Sequence, residues 1–245
     1  DVSVENQKAI HGFLDAYRCD IFPQGLLTIA QAMTLLMVKK NLVIKLSLPF
    51  PCDGQLHDIA EQLTELIAQP VSFDAEYHIE PVRQHKIKGI KNIIAVSSGK
   101  GGVGKSTTAV NLAYGLIAEG CNVGILDADI YGPSIPTMLG LKGAKPTSND
   151  GKLITPLEVN HLSAMSIGFL VDDANATVWR GPMASRAFSQ LLNETDWPDL
   201  DYLIVDMPPG TGDIQLTLAQ QVPVAGALVI TTPQDIALMD AIKGM

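Results

Sequence analysis

Eight residues constrain this chain more than any others: Gly99-Lys100-Gly101-Gly102-Val103-Gly104-Lys105-Ser106. They satisfy the pattern G-x-x-x-x-G-K-S/T, which matches by chance in a chain this long about once in a hundred. The apolar run Ile93-Ile94-Ala95-Val96 precedes them, and helical patterning from Ser106 to Glu119 follows. A strand, a glycine-rich turn and a helix in that order begin a βαβ unit, and such units build a parallel sheet covered on both faces. The glycines of Gly99–Gly104, with Val103 among them, let backbone N–H groups turn inward around phosphate oxygens. The helix start adds partial positive charge. Lys105 has the reach for β- and γ-phosphates, the Ser106 hydroxyl suits Mg²⁺, and Thr107 is a further phosphate contact. An ordinary glycine turn would not explain why Lys and Ser follow Gly104.

The alternation continues downstream. Val123–Leu126, Leu162–Ile167, Tyr202–Val205 and Ala225–Thr231 read as strands, and Met183–Leu192 and Ile236–Lys243 as helices. In such sheets ligands sit beyond the carboxyl ends of the strands. Asp127 and Asp129 fall at the end of the second strand, and Asp206 ends the Tyr202–Val205 strand. Paired carboxylates at a strand end serve Mg²⁺ or orient an attacking water, and an Asp closing an apolar strand holds a metal through its water shell. Met207–Asp213, rich in Pro and Gly, suits a loop that senses the γ-phosphate.

The first eighty residues follow a different plan. Ala9, Ile10, Phe13, Leu14 and Tyr17 recur at helical spacing. Ala32–Val38 and Leu42–Leu48 form a hairpin around Lys39-Lys40-Asn41, and a helix capped by Asp53 carries Leu56, Ile59, Ala60, Leu63 and Ile67 on one face. Val71–Ile79 alternates as a third strand. The basic stretch at 81–91 lacks apolar periodicity and reads as a linker. The expected organisation is a small α+β domain at 1–80, a linker at 81–91, and an α/β domain with a mostly parallel sheet and helices on both faces at 92–245.

Composition narrows the function. Apolar residues make up 47% and charged residues 18%, which excludes disorder and a coiled coil. No apolar run approaches the ~20 residues of a membrane span, so no membrane partner is expected. The net charge of −9 argues against a nucleic-acid partner bound through a basic face. The three cysteines, Cys19, Cys52 and Cys121, form neither a disulfide framework nor a C-x-x-C pair, and a reducing cytoplasm is the simplest compartment. Cys52 precedes a helix start, a place that can lower a thiol pKa, although a small buried residue is the simpler reading. The chain starts at Asp1 rather than Met and stops at Met245 within a helical pattern. Sequence beyond both ends is therefore expected, and the second domain is read as incomplete at its C-terminus.

The second lysine, Lys100, makes the motif more specific. G-K-G-G-V-G-K-S resembles the deviant Walker A of the MinD, ParA, ArsA and nitrogenase iron protein superfamily. That resemblance implies an ATPase homodimer closed around two Mg·ATP, with Lys100 reaching the partner's nucleotide. Five segments together resemble the Mrp/ApbC family of iron–sulfur cluster carrier ATPases. They are Val96–Thr107, Leu126–Ser134, Trp179–Met183, Pro208–Asp213 and Thr231–Gln234. The resemblance makes Lys100, Lys105 and Asp129 catalytic, with Asp129 in switch I positioning water. It gives Asp127 a supporting role for the metal or the P-loop, and Ser106 and Asp206 to Mg²⁺. It also implies iron–sulfur apoprotein clients. The family's cluster-binding C-x-x-C is absent from residues 1–245, so the cluster is expected only in the full-length protein. Arg180 within Trp179–Met183 is a candidate contact to ligand or partner. The first domain resembles, more weakly, the small domain fused to these carriers, but lacks its acidic D-P-E pattern. The alternative reading is a MinD/ParA-like positioning or partition switch without cluster cargo. An amphipathic membrane-binding helix after Met245 would favour it.

Overall fold

The computed structural model describes residues 2–149, 151–170 and 181–233, with Met239 and Ile242. The chain forms two compact units, Asp1–Glu80 with Ala118–Gly120, and Pro81–Ile117 with Cys121–Met245.

The first unit contains α1 (Val4–Ala16), α2 (Leu26–Ile29), β1 (Ala32–Val38), β2 (Asn41–Leu48), α3 (Asp53–Ile67) and β3 (Val71–Tyr77). β1 and β2 are an antiparallel hairpin, and β3 lies parallel to β2. Parallel neighbours need a crossover, and α3 supplies it. The alternation in β2 buries Leu42, Ile44, Leu46 and Leu48 and leaves Lys45 exposed. Those four pack with Ile10 and Leu14 of α1 and Leu56, Ile59 and Leu63 of α3. Cys52, not Asp53, stands at the N-cap of α3 and makes no capping bond with its side chain. Asp53 is the first helical residue, and its carboxylate accepts the Tyr77 hydroxyl instead. The Cys52 thiol is buried, and burial pushes it up to about 11, which overrides the effect of the helix start.

The second unit runs β4 (Ile90–Ser98), α4 (Lys105–Ala118), β5 (Val123–Asp127), α5 (Ile135–Met138), β6 (Leu157–Val159), β7 (Leu162–Ser166), a 3₁₀ turn at Ile167–Phe169, α6 (Gly181–Asn193), β8 (Leu200–Asp206), α7 (Asp213–Gln221) and β9 (Gly226–Ile230). The sheet order is β6-β7-β5-β8-β4-β9, parallel except for β6. Every residue of β5 and β7 is buried, as expected for strands covered on both faces. Phe188, Leu191 and Leu192 of α6 and Leu218 of α7 join this core. The connection after β4 leads to β5, and the one after β8 leads the opposite way to β9. The crevice where connections diverge therefore lies at the carboxyl ends of β4 and β8.

Residues 81–91, expected as a linker, cluster with the second unit. Ile90 and Lys91 already belong to β4. The Gly89 carbonyl accepts the Leu200 N–H at 2.7 Å, and Lys91 pairs with Asp201 at 2.8 Å. Pairing with β8 sets this boundary, which the basic composition of the stretch does not show. β6, α5 and α7 have no counterpart among the expected elements. The expected helix over Ile236–Lys243, except Met239 and Ile242, lies outside the described residues, as do Trp179 and Arg180. Among the described residues no helix is long and apolar enough to cross a membrane.

Candidate functional site

Three strand ends are brought to one level. The register sets Asp127 of β5 beside Asp206 of β8, and Asp206 beside Val96 of β4. The Gly99–Gly104 loop springs from β4 at that level. Gly102 and Gly104 hold φ of 77° and 90°, left-handed values that side chains disfavour. A Cβ at either would meet nothing within 4 Å, so backbone conformation rather than space demands glycine there. The loop is tied at both ends. Ser98 Oγ donates to the Lys100 carbonyl at 2.9 Å, and the Gly104 carbonyl accepts from Thr108 N–H at 2.9 Å.

Lys105 opens α4 and is only 6% exposed. Its ammonium bonds Asp206 Oδ1 and lies 3.5 Å from Asp129 Oδ2. Ser106 Oγ donates to Asp206 Oδ2 at 2.5 Å. Four of the expected site residues, Lys105, Ser106, Asp129 and Asp206, thus converge. Burial raises the Asp206 carboxyl above its ordinary range, and the neighbouring Lys105 opposes that rise. Val103 and Gly99 are half-buried beside the cluster. Gly101, Lys100 and Thr107 are exposed, and the Lys100 and Thr107 side chains stand outside it.

Asp127 acts on the loop that follows it. Its Oδ1 accepts the Asp129 N–H at 3.0 Å, and its Oδ2 accepts the Ile135 N–H at 3.2 Å and the Ser166 hydroxyl at 3.1 Å. Asp129 Oδ1 in turn accepts the Tyr131 N–H at 3.2 Å, which leaves Oδ2 turned to Lys105. The Asp127 carboxylate therefore holds the backbone that carries Asp129. Ser98 and Ser166 share in this scaffold. Ser98 lies within the quoted motif, whereas nothing in the sequence around Ser166 signals its part. After β8, the Gly210 N–H donates to the Ser98 carbonyl at 2.8 Å, and Gln215 Nε2 donates to the Pro209 carbonyl. The loop before α7 is thereby fastened to the start of the glycine loop.

The fully buried Asp127 carboxyl is pushed up to about 7, first by burial and then by Asp206. Between its ordinary 3.8 and that value the folded chain keeps a proton that the unfolded chain releases. This contribution to stability is complete below the ordinary value and is lost as pH rises toward 7, at most ~1.4 kcal/mol per pH unit. Asp127→Asn cannot titrate. The stability gap between wild type and variant, measured by urea unfolding with a chelator present, is expected to change across this window. A gap that stays flat with pH would show that Asp127 titrates normally.

The Ser106 hydroxyl and the Asp206 carboxylate are adjacent hard oxygen donors, a set that fits Mg²⁺. A cradle of backbone N–H groups, a buried lysine and this oxygen pair, all at strand ends, suit a nucleoside triphosphate. The sequence model of the NUBPL iron-transfer P-loop NTPases matches residues 89–245. The chain belongs to this family. It is 52% identical over 245 residues to the iron–sulfur cluster carrier protein of Escherichia coli (strain K12), covering 96% of this chain and 66% of that one. It is 54% identical over 164 residues to the iron–sulfur cluster transfer protein NUBPL of Mus musculus, covering 66% of this chain and 51% of that one. The chain thus spans about two thirds or less of the length of these curated relatives. Among solved structures, a nucleotide-binding protein from Archaeoglobus fulgidus in complex with ADP superposes with a TM-score of 0.54 at 38% identity, covering 64% of this chain and 61% of that one. The P-loop NTPase fold expected from the strand–loop–helix pattern is the fold of this family.

Proposed function

We propose that this protein is a cytoplasmic ATPase that carries iron–sulfur clusters to apoproteins as a homodimer, with slow hydrolysis coupled to dimer closure. The observation that carries the nucleotide part is the convergence of Lys105, Ser106, Asp129 and Asp206 at the carboxyl ends of β4, β5 and β8. The Gly99–Thr107 loop would hold the phosphates of ATP, with its N–H groups and the Lys105 ammonium facing the β- and γ-oxygens. Ser106 and Asp206 would hold Mg²⁺, which when bound neutralises phosphate charge. Asp129, fixed by Asp127, would orient the attacking water, and Lys100 of the opposite subunit would meet the developing charge. The relatives named as cluster carrier and transfer proteins support the cargo reading over a positioning or partition switch.

The described residues show no set of cargo ligands. Cys52 and Cys121 are buried and Cys19 is half-buried. Among the described residues no three His, Cys, Asp or Glu side chains gather as metal ligands. A thiolate-held cluster usually needs about four protein ligands, which one C-x-x-C from each of two subunits would supply. Residues 1–245 are expected to bind Mg·ATP yet hold no stoichiometric cluster, whereas the natural full-length protein is expected to hold one and activate a cluster-requiring apoprotein. Anaerobic reconstitution with ferrous iron and sulfide, followed by iron analysis and a visible spectrum, checks both. A stoichiometric, Cys52-dependent cluster on residues 1–245 would move the site into the first unit. A full-length protein that binds ATP but never acquires a cluster would favour the switch.

A further inference from the structure

β3 is an edge strand of the first unit's sheet, and its outer side carries a groove. The Pro70 carbonyl accepts Leu42 N–H at 2.8 Å, and His78 N–H donates to the Leu48 carbonyl at 2.9 Å. Backbone groups alternate in direction along a strand, so the even-numbered residues between them also face β2. Phe73 and Ala75 therefore turn their N–H and C=O groups to the open edge. Val71 N–H points the same way but is taken by Thr64 Oγ1 at 3.0 Å, which closes one end of the edge.

The groove beside this edge, between α3 and β3, has a volume of about 930 Å³. Its floor is apolar, with Leu56 and Ala60 from α3 and Phe73 and Ala75 from β3. Its rim holds Asp53, Glu61, Glu65 and Asp74 with His57, and neither Lys nor Arg. Asp53 is engaged by the Tyr77 hydroxyl. Lys45 reaches Asp74 at 3.2 Å and His57 reaches Glu61 at 3.4 Å, both among exposed side chains, where such pairs contribute little. The rim stays net negative. Pairing of β3 with its counterpart in a second copy would bring the same carboxylates together, so a second copy fits poorly.

We infer that the β3 edge and its groove bind an extended segment of another protein, in which basic residues alternate with small apolar ones, as an added fourth strand. Main-chain bonds to Phe73 and Ala75 would hold the segment. Alternate side chains would settle on the apolar floor or meet the carboxylates.

The test uses the whole chain and a capped, labelled heptapeptide, Val-Lys-Val-Lys-Val-Lys-Val. Binding is expected in anisotropy, with slower amide exchange at Phe73 and Ala75. Two versions N-methylated on alternate amides, odd or even, keep the charge but each remove one face of strand donors. One should lose at least about tenfold in affinity and the other should not. Glu61→Lys with Glu65→Lys, both exposed on α3, should weaken binding by a similar factor. Ala75→Pro removes an edge donor but leaves the β2 ladder intact, so it should weaken binding in a chain that still folds. Equal binding by both methylated peptides would reduce the effect to charge attraction and overturn the inference. So would protection at β1 rather than β3, or self-association of the chain that Ala75→Pro abolishes.

Discussion

Lys105→Ala is expected to abolish measurable ATP turnover, a loss of at least about a hundredfold, the scale of removing one preorganised transition-state contact. The geometry makes the effect larger than a lost attraction. Lys105 is the cation set between Asp206 and Asp129, and it is almost wholly buried. Without it, two carboxylates face the incoming triphosphate uncompensated, so binding weakens along with the chemical step. The fold should survive. Alanine has the higher helix propensity, and a cation at the first position of α4 opposes the helix dipole. The Asp206 carboxyl, already raised by burial, can protonate when its counter-charge goes. Calorimetry with Mg·ATP, a turnover assay and circular dichroism separate these effects. Unchanged binding together with unchanged turnover would remove the P-loop assignment, and an unfolded variant would show that Lys105 is chiefly a structural counter-ion.

Much of the architecture was legible because burial leaves a pattern. β2 alternates between Leu or Ile and more polar residues because one face meets α1 and α3, and β5 is an unbroken buried run because both faces are covered. α7 lacked such a signal: in Asp213–Gln221 only Leu218 is buried, so no apolar stripe marks the helix. α5 has four residues and β6 three, too short for periodicity to register. At the site, the residues of the glycine loop and the three strand-end carboxylates, Asp127, Asp129 and Asp206, could be named from local context. Their partnerships could not, because Lys105 and Asp206 are 101 residues apart and only the strand register joins them. The role of Asp127 shows the same limit. A supporting role for the metal or the P-loop is what the resemblance implies, and the structure adds three bonds that no local pattern shows, to Asp129, Ile135 and Ser166. For Cys52 the sequence favours a small buried residue over a thiol activated by the helix start, and the thiol is indeed buried and its pKa raised.

Lys100→Ala is expected to separate nucleotide binding from turnover. The side chain is exposed and stands outside the Lys105 cluster, and the backbone of its loop is held by Ser98 rather than by the lysine itself. A monomer should therefore keep its nucleotide affinity within about threefold, since an exposed charge removed without a buried partner changes little. If Lys100 acts across a dimer, turnover should fall by about a thousandfold, the lower end of what a cation supplied in trans contributes to phosphoryl transfer. Sedimentation with a non-hydrolysable ATP analogue should show a dimer for the wild type and a monomer for the variant. Mixing supplies the sharper test. Lys100→Ala subunits bind ATP but lend no lysine, and Lys105→Ala subunits lend Lys100 but bind poorly. In an equal mixture each mixed dimer has one complete site, so activity should return to about a quarter of wild type if like subunits also pair and toward about half if only unlike ones do. A mixture as inactive as its parts would place Lys100 in its own subunit's site. A variant with normal turnover and a normal dimer would make it an ordinary loop lysine.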